Sequence, residues 1–434
     1  MNLKELKSKY NLSALELFTQ DSSTCKISFT ANKLKQTESI YSKGFAVRVI
    51  KNNKIGFTSN YCNNNNIDEM INQALEILEF SEEIKFNLPG KRKTNHQIKN
   101  DSKPMNKEIL KGFKERGSLI IESILKEAPE ALIDMSFDLQ EVNECLENSN
   151  KLHCSYSNRL YSYSINIRET LENNFIDIFT AQVDETINAL EKLSNEVTRL
   201  YKLTKKHAKI NSGQCPVLFT SKASKELFNT IEMALNGKQI NQKASPWHNK
   251  LGKQVLSTSI TIQQDPSFGY MAREIDDEGS IVKPIILINK GILENFYYDL
   301  LSASKSNNNF LSTGNGFKSS LSTQPEPTLL NMITSLGKRS LDEIIKNIDY
   351  GLLVDQTMGG LTTNISGDLS VNVDIGFLIE KGEITGRIKD TMVSGNIYNA
   401  FNNIIELSNS PKWYWSNIYS PDILLDGFTV TARS

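Results

Sequence analysis

Apolar residues change their spacing along this chain, and the changes mark its elements. From Ile67 to Phe80 they fall at Ile67, Met70, Ile71, Ala74, Leu75 and Leu78, which predicts one helical stripe. The same spacing recurs over Asn106–Ala128 (Ile109, Leu110, Phe113, Leu119, Ile120, Ile124), although Gly117 interrupts it. It recurs again over Asp184–Lys206 (Ile187, Leu190, Leu193, Val197, Leu200, Leu203). Residues 131–180 alternate instead: Leu132, Asp134, Ser136, Asp138, then Tyr161, Tyr163, Ile165, Ile167, then Phe175, Ile176, Ile178. That predicts an antiparallel meander with one polar face. Upstream, Cys25–Phe29 and Phe45–Ile50 are strand-like, Lys51–Lys54 supplies a turn, and Ile55–Ser59 continues. Leu3, Leu6, Leu15 and Leu17 among charges predict an amphipathic surface helix; no apolar core precedes a cleavage site, so it is not a signal peptide.

The texture changes at residues 207–216, where Gly213 and Pro216 break the pattern. Beyond them Val217–Phe219 predicts a strand, and Ala223–Asn236 a helix stopped by Gly237. Strands are predicted at 254–263, 284–289, 350–354, 369–379 and 428–432. Ser340–Asn347 predicts a helix with Ser340 and Glu343 as a capping box, and Gly395–Leu407 another. The expected fold class is α+β. An N-terminal α+β domain spans 1–210, with a hairpin/helix part (1–100) and a helix-meander-helix part (101–210). A C-terminal glycine-rich β domain spans 211–434. Residues 81–105, with Pro89 and Pro104, read as a linker or extended loop, and the Asn tracts 63–66 and 307–309 as polar loops.

Composition removes several function classes. The 434 residues are 39% hydrophobic and 23% charged, with net charge −1. That balance gives no electrostatic case for nucleic acid or an anionic membrane. No apolar run approaches the ~18–20 residues needed to span a bilayer. Five cysteines (Cys25, Cys62, Cys145, Cys154, Cys215), odd in number and without Cys-x-x-Cys, point to a reduced, cytoplasmic protein. Four histidines are scattered. His96 falls in the linker, and His153 in a turn beside Cys154. His207 ends a helix, where a cation suits the dipole, and His248 lies in a loop. Asp276-Asp277-Glu278 before Gly279 read as a hydrated turn, and Trp413-Tyr414-Trp415 as an interface, a cleft wall or core.

From Gly359 to Asn396 the chain reads GGLTTNISGDLSVNVDIGFLIEKGEITGRIKDTMVSGN. This run resembles the C-terminal signature of the TldD/PmbA family of peptidase-related proteins. Gly44–Asn60, Asn289–Leu293 (NKGIL), Thr313–Gly316 (TGNG), Ser340–Gly351, Ser366–Ser370 (SGDLS), Ile379–Ile384 and Ser394–Ile397 (SGNI) are similar to family segments in the same order. Taken singly, each glycine has a structural explanation: Lys381-Gly382 as a hairpin turn, Gly376, Gly386 and Gly395 as bulges or close approaches.

The resemblance implies a cleft where peptides add a strand to a glycine-rich edge. Gly314, Asn315, Gly367, Asp368, Gly395 and Asn396 are its candidate cleft residues. The zinc-bearing branch carries His-Glu-x-x-x-His on the helix that is Ala223–Asn236 here. With Gly237 aligned, those positions are Phe228, Asn229 and Met233, so no catalytic residue and no metal ligand is expected in this chain. The family's third ligand is a Cys near the C-terminus; Ser420 stands close to where a related Cys occurs in some non-zinc members. The resemblance is closest to the TldE/PmbA branch. It implies a peptide-cleft subunit of a zinc metallopeptidase, dimeric with a TldD-like zinc-bearing partner or with itself. Zinc would be held by the partner, and the work would be proteolysis of peptide precursors and small unfolded proteins. A stand-alone peptide-binding scaffold and an autonomous hydrolase are the alternatives. The latter ranks last, because no nucleophile–base arrangement is readable.

Overall fold

The computed structural model of the chain describes residues 2–61, 66–92, 107–171, 174–184, 190–306, 310–358, 364–414 and 417–433. Expectations for Cys62, His96, Pro104, Trp415, Gly359, Gly360 and the Asn tracts at 63–65 and 307–309 lie outside the described residues.

The N-terminal stretch forms a shorter helix than its leucines suggest. α1 is Leu3–Lys9, capped by the Asn2 side chain, and Asn11 takes a left-handed φ of 49° that ends it. Strand β1 (Ala14–Thr30) begins at once, so Leu15 and Leu17 share one face of a strand. β1 pairs with β2 (Lys33–Lys51), and β2 with β3 (Lys54–Asn60) through Asn52 and Asn53, both at positive φ. α2 (Ile67–Glu76) buries Met70, Ile71 and Ala74 against Leu17, Val47 and Val49. α3 (Lys107–Glu127) buries Phe113, Ile120 and Ile124 as predicted, but Leu119 points outward and Ile121 takes its place in the core. Gly117 inside it has a packing reason, since a Cβ there would sit 2.5 Å from the Phe29 ring. The expected meander is β4 (Leu132–Asn148), β5 (His153–Leu171) and β6 (Asn174–Asp184). With the hairpin it forms one antiparallel sheet, β3-β2-β1-β4-β5-β6.

α3 and α4 (Leu190–Thr204) cover one face of this sheet, on Ile133, Phe137, Ile165, Ile167, Ile176 and Ile178. The same apolar core takes in Leu218, Leu353, Ile375, Phe377 and Leu424 from the second half. There, α5 (Ser221–Leu235) ends at Asn236, which immediately caps α6 (Gly237–Asn241). Gly237 is therefore no helix stop. It stands where a Cβ would lie 2.1 Å from the Tyr298 ring.

A sheet of nine strands runs β19-β22-β8-β15-β16-β18-β23-β7, with β17 beside β16. Its members are β7 (Gly213–Gln214), β8 (Val217–Phe219), β15 (Tyr350–Thr357), β16 (Asp368–Glu380), β17 (Glu383–Arg387), β18 (Thr391–Asn396), β19 (Ile404–Leu407), β22 (Ile423–Leu425) and β23 (Thr429–Ala432). Leu218 and Leu353 point toward α4, whereas Val217, Phe219, Leu352 and Val354 point toward α5 and α9 (Ile397–Asn402). The smaller sheet runs β11-β10-β9-β14-β21-β20: β9 (Ile262–Gln264), β10 (Ile285–Asn289), β11 (Ile292–Leu293), β14 (Met332–Thr334), β20 (Lys412–Tyr414) and β21 (Ile418–Ser420). β12 (Gly316–Phe317) pairs with β13 (Glu326–Pro327), and α7 is Leu300–Ser304. The α+β class expected from the pattern is what these layers form.

Two predictions in this half are shortened. Of 254–263, only the end is strand, because 257–261 turn. Of Gly395–Leu407, six residues are helix and Ile404–Leu407 is strand. The Ser340/Glu343 capping box on α8 (Leu341–Lys346) is present with both of its hydrogen bonds. Lys381 and Gly382 form the turn, at φ 50° and 79°.

Candidate functional site

The polar face of the six-stranded sheet turns toward the second half. At one end the two are locked together. Glu16 and Arg48 sit opposite each other on β1 and β2, and Arg48 Nη2 lies 2.8 Å from Glu16 Oε1. The same guanidinium reaches Glu278 at 3.2 Å. Arg273 bridges Asp277 (2.9 Å) and Glu144 (3.3 Å). Asp276 accepts the backbone N–H groups of Ser280 (2.7 Å), Gly316 (2.9 Å) and Glu278 (3.0 Å). The expected hydrated turn is thus wrong: Asp276, Asp277 and Glu278 are at most 4% exposed. Burial pushes the carboxyls of Asp276 (to about 7), Glu278 and Asp299 upward. Six carboxylates (with Glu16, Glu144 and Asp277) meet three cations, the third being Lys318. Burial brings Lys318 down to about 8. The sequence does carry a signal of this seam: single charges, Glu16 and Arg48, inside the apolar runs ALELF and AVRVI.

Farther along, the two halves stand apart around two cavities, the larger on this face and the smaller at the β6 edge of the sheet, where α4 also lines it. The larger, about 510 Å³, lies between Gln140, Glu144, Asn158, Ser162 and Val183 of the sheet and Met271, Arg273, Lys318, Leu329 and Asn417. The smaller, about 310 Å³, is bounded by Thr180–Gln182, by Lys192, Glu196 and Arg199 of α4, by Thr220–Lys222, and by Tyr270, Trp413 and Tyr419. Consecutive residues, Gln182/Val183 and Tyr270/Met271, contribute one side chain to each. Asn158 Nδ2 donates to Tyr270 O (3.2 Å), so the 270–271 segment spans the gap.

Helix α5 begins at the smaller cavity. Thr220 caps it, and buried Asp422 accepts the Ser221 N–H (2.8 Å) and the Ser408 hydroxyl (2.9 Å). Most of α5 is buried, but Lys222, Lys225, Glu226, Asn229, Glu232 and Met233 stay partly exposed as one stripe. Lys222 pairs with Asp355 at 2.5 Å and donates to Phe179 O (2.9 Å). Asn229 Nδ2 donates to Glu226 Oε2 (3.2 Å). Burial raises the Glu232 carboxyl to about 7 against the opposing pull of the Leu329 N–H and Lys225. Burial lowers the Lys225 ammonium, opposed by Glu226 and Glu232.

The aligned metal positions do not fit zinc. Phe228 is fully buried with its ring edge-on to Phe401, centroids 5.3 Å apart. Asn229 offers an amide and Met233 a thioether, where a catalytic zinc takes imidazole, thiolate or carboxylate. Among the described residues no three His, Cys, Asp or Glu side chains converge to hold a metal ion. Ser420 is fully buried, and its hydroxyl has no hydrogen-bond partner among the described residues.

The cleft candidates separate into two groups. Asn315 is fully buried: it donates to Gln264 Oε1 and to Thr328 O (both 2.8 Å) and accepts from Thr313 (2.7 Å). Gly314, at φ 75°, passes so close to Ile281 that a Cβ would lie 2.1 Å from its carbonyl oxygen. Asp368 and Asn396 face each other across β16 and β18, and Asn396 donates to Asp368 (3.2 Å) while capping α9. Gly367 and Gly395 lie beside them, against the Tyr398 and Phe428 rings. Neither group lines the two cavities. His153 opens β5 instead of sitting in a turn. It pairs with Glu147 (2.9 Å), whereas Cys154 is buried. His207 lies past the end of α4; burial, Lys389 and Arg387 lower its pKa, against the cationic helix tip expected. Trp413 packs on Phe268, Tyr270 and Tyr419.

The PmbA/TldA metallopeptidase C-terminal domain matches residues 212–432, and domain 1 of the same family matches residues 15–78. The chain belongs to the PmbA/TldD metallopeptidase family. It is 28% identical to a metalloprotease PmbA homolog of Buchnera aphidicola over 52% of this chain and 48% of that protein. It is 32% identical to the TldD homolog of the same organism over 48% of this chain and 43% of that one. The chain thus spans about half the length of these curated relatives. The crystal structure of TldE from Thermococcus kodakarensis shares the fold, with a TM-score of 0.91 at 22% identity and 99% coverage of both chains. No described helix is long and apolar enough to cross a membrane.

Proposed function

We propose that this chain is the TldE/PmbA-like subunit of a zinc metallopeptidase, shaping the peptide cleft while a TldD-like chain holds the zinc. The observation that carries this reading is the α5 stripe. It faces the open side of an otherwise buried helix and offers Asn229 and Met233 in place of metal donors, while the third aligned position, Phe228, is buried in the core. The adjoining cavities of about 510 and 310 Å³ give an extended peptide room between walls that mix polar, aliphatic and aromatic side chains. On this account the chain works in the cytoplasm as a mixed dimer or with itself. It holds substrate and contributes no group to bond cleavage.

The test is partner dependence. The purified chain should cleave no unfolded peptide alone. Cleavage should appear on mixing with a family member that bears His-Glu-x-x-x-His, and a chelator should abolish it. Chelator-resistant cleavage by the pure chain would remove the proposal. Peptide binding without any cleavage on mixing would favour the stand-alone scaffold.

A further inference from the structure

The smaller cavity is unevenly charged. Of its lining ions, Lys222 is paired with Asp355 and Lys412 with Glu196 (2.9 Å). Asp422 is engaged by the Ser221 N–H and the Ser408 hydroxyl, so its oxygens are already bonded away from the two remaining cations. Lys192 and Arg199 remain. They stand two helical turns apart on the same side of α4, both exposed, and make no ion pair or hydrogen bond with any described residue. Opposite them lie the rings of Tyr270, Trp413 and Tyr419. Surplus positive charge faces an aromatic wall in a space of about 310 Å³ that opens beside the larger cavity.

We propose that this cavity is a subsite for a carboxylate-bearing peptide residue. Lys192 and Arg199 would take the carboxylate, and Trp413 with its neighbours the side chain beside it. The inference deepens the peptide-cleft reading and rests on it. The carboxylate can come from the α-carboxyl at a peptide's C-terminus or from an acidic side chain. Arg supplies a planar pair of donors to either, and because Lys192 and Arg199 are exposed, salt should screen their attraction.

The experiment is calorimetric titration of the full chain alone with three peptides of equal length. One ends in phenylalanine with a free carboxylate, one is its C-terminal amide, and one is an amide with glutamate next to the phenylalanine. The free acid should bind at least about tenfold tighter than its amide, a difference of about 1.4 kcal/mol. The double variant Lys192→Gln/Arg199→Gln should erase that preference without moving Tm, and 0.5 M salt should weaken it. If the glutamate amide matches the free acid and loses affinity in the variant, the subsite takes side-chain carboxylates. Equal affinity of all three peptides, or a preference untouched by the double variant, overturns the proposal. Because this titration needs no partner, the subsite can fail while partner-dependent cleavage stands, and the reverse.

Discussion

The polar face of the six-stranded sheet meets the second half in two contrasting ways. Around Glu16, Arg48 and Glu144 the contact is sealed by buried ion pairs; around Gln140, Ser162 and Val183 it is hollow. The sealed stretch lies on β1, β2 and β4 and the hollow one on β4, β5 and β6 of the same sheet. The difference comes from what faces them: the carboxylate-rich 276–278 turn at one end, and Met271, Leu329 and Asn417 at the other. A closed end fixes the geometry of the open one, so stability and ligand binding should separate along this face.

The largest expected effect is at the seam. Arg48→Met leaves Glu16 and Glu278 buried without their partner and should cost about 3–5 kcal/mol in denaturant unfolding. Arg273→Met should cost less, since its side chain is 10% exposed where that of Arg48 is 4%. The pH dependence comes next. Asp276, Glu278 and Asp299 have folded pKa values raised above their unfolded ones. Their contribution is therefore fully present below about 4 and is lost as pH rises through each folded value, which for Asp276 is about 7. Thermal melts should give a higher Tm at pH 6 than at pH 8; the opposite slope would mean that the ion pairs outweigh the excess carboxylates. Glu232→Gln, on the α5 stripe, removes one raised carboxyl. Its stability relative to the natural chain should improve from pH 5 to pH 8. The smallest effect belongs to the open end: Gln140→Ala or Ser162→Ala should change stability by less than about 0.5 kcal/mol. A larger loss would show that the cavity wall is also a structural contact.

Much of this fold was legible in spacing. The α2 stripe, the meander and the Ser340–Glu343 cap follow from local chemistry and are present; the α3 stripe is present without Leu119, which is exposed, and the α4 stripe from Leu190 on, Ile187 lying outside the described residues. Leu15 and Leu17 misled because a leucine at every second position fits a strand as well as a ragged helix. Pairing with Val49 and Val47 settles it. Gly237 misled because a glycine after a helix reads as a stop, whereas here the Tyr298 ring demands it. The 276–278 turn was invisible for a different reason: consecutive acids read as hydrated unless the distant Arg48 and Arg273 are known. The family resemblance pointed to α5, and its aligned positions could be named. The cavities, and the fact that Lys192 and Arg199 have no partner among the described residues, depend on contacts between segments far apart in sequence. No periodicity encodes them.

The central claim is that α5 contributes a wall and no metal. Zinc content of the purified chain, measured after dialysis against trace zinc, tests it most directly. The account predicts far less than one zinc per chain, both in the natural protein and in Asn229→Ala. One tightly held zinc per chain, lost on substitution along the α5 stripe, would contradict it.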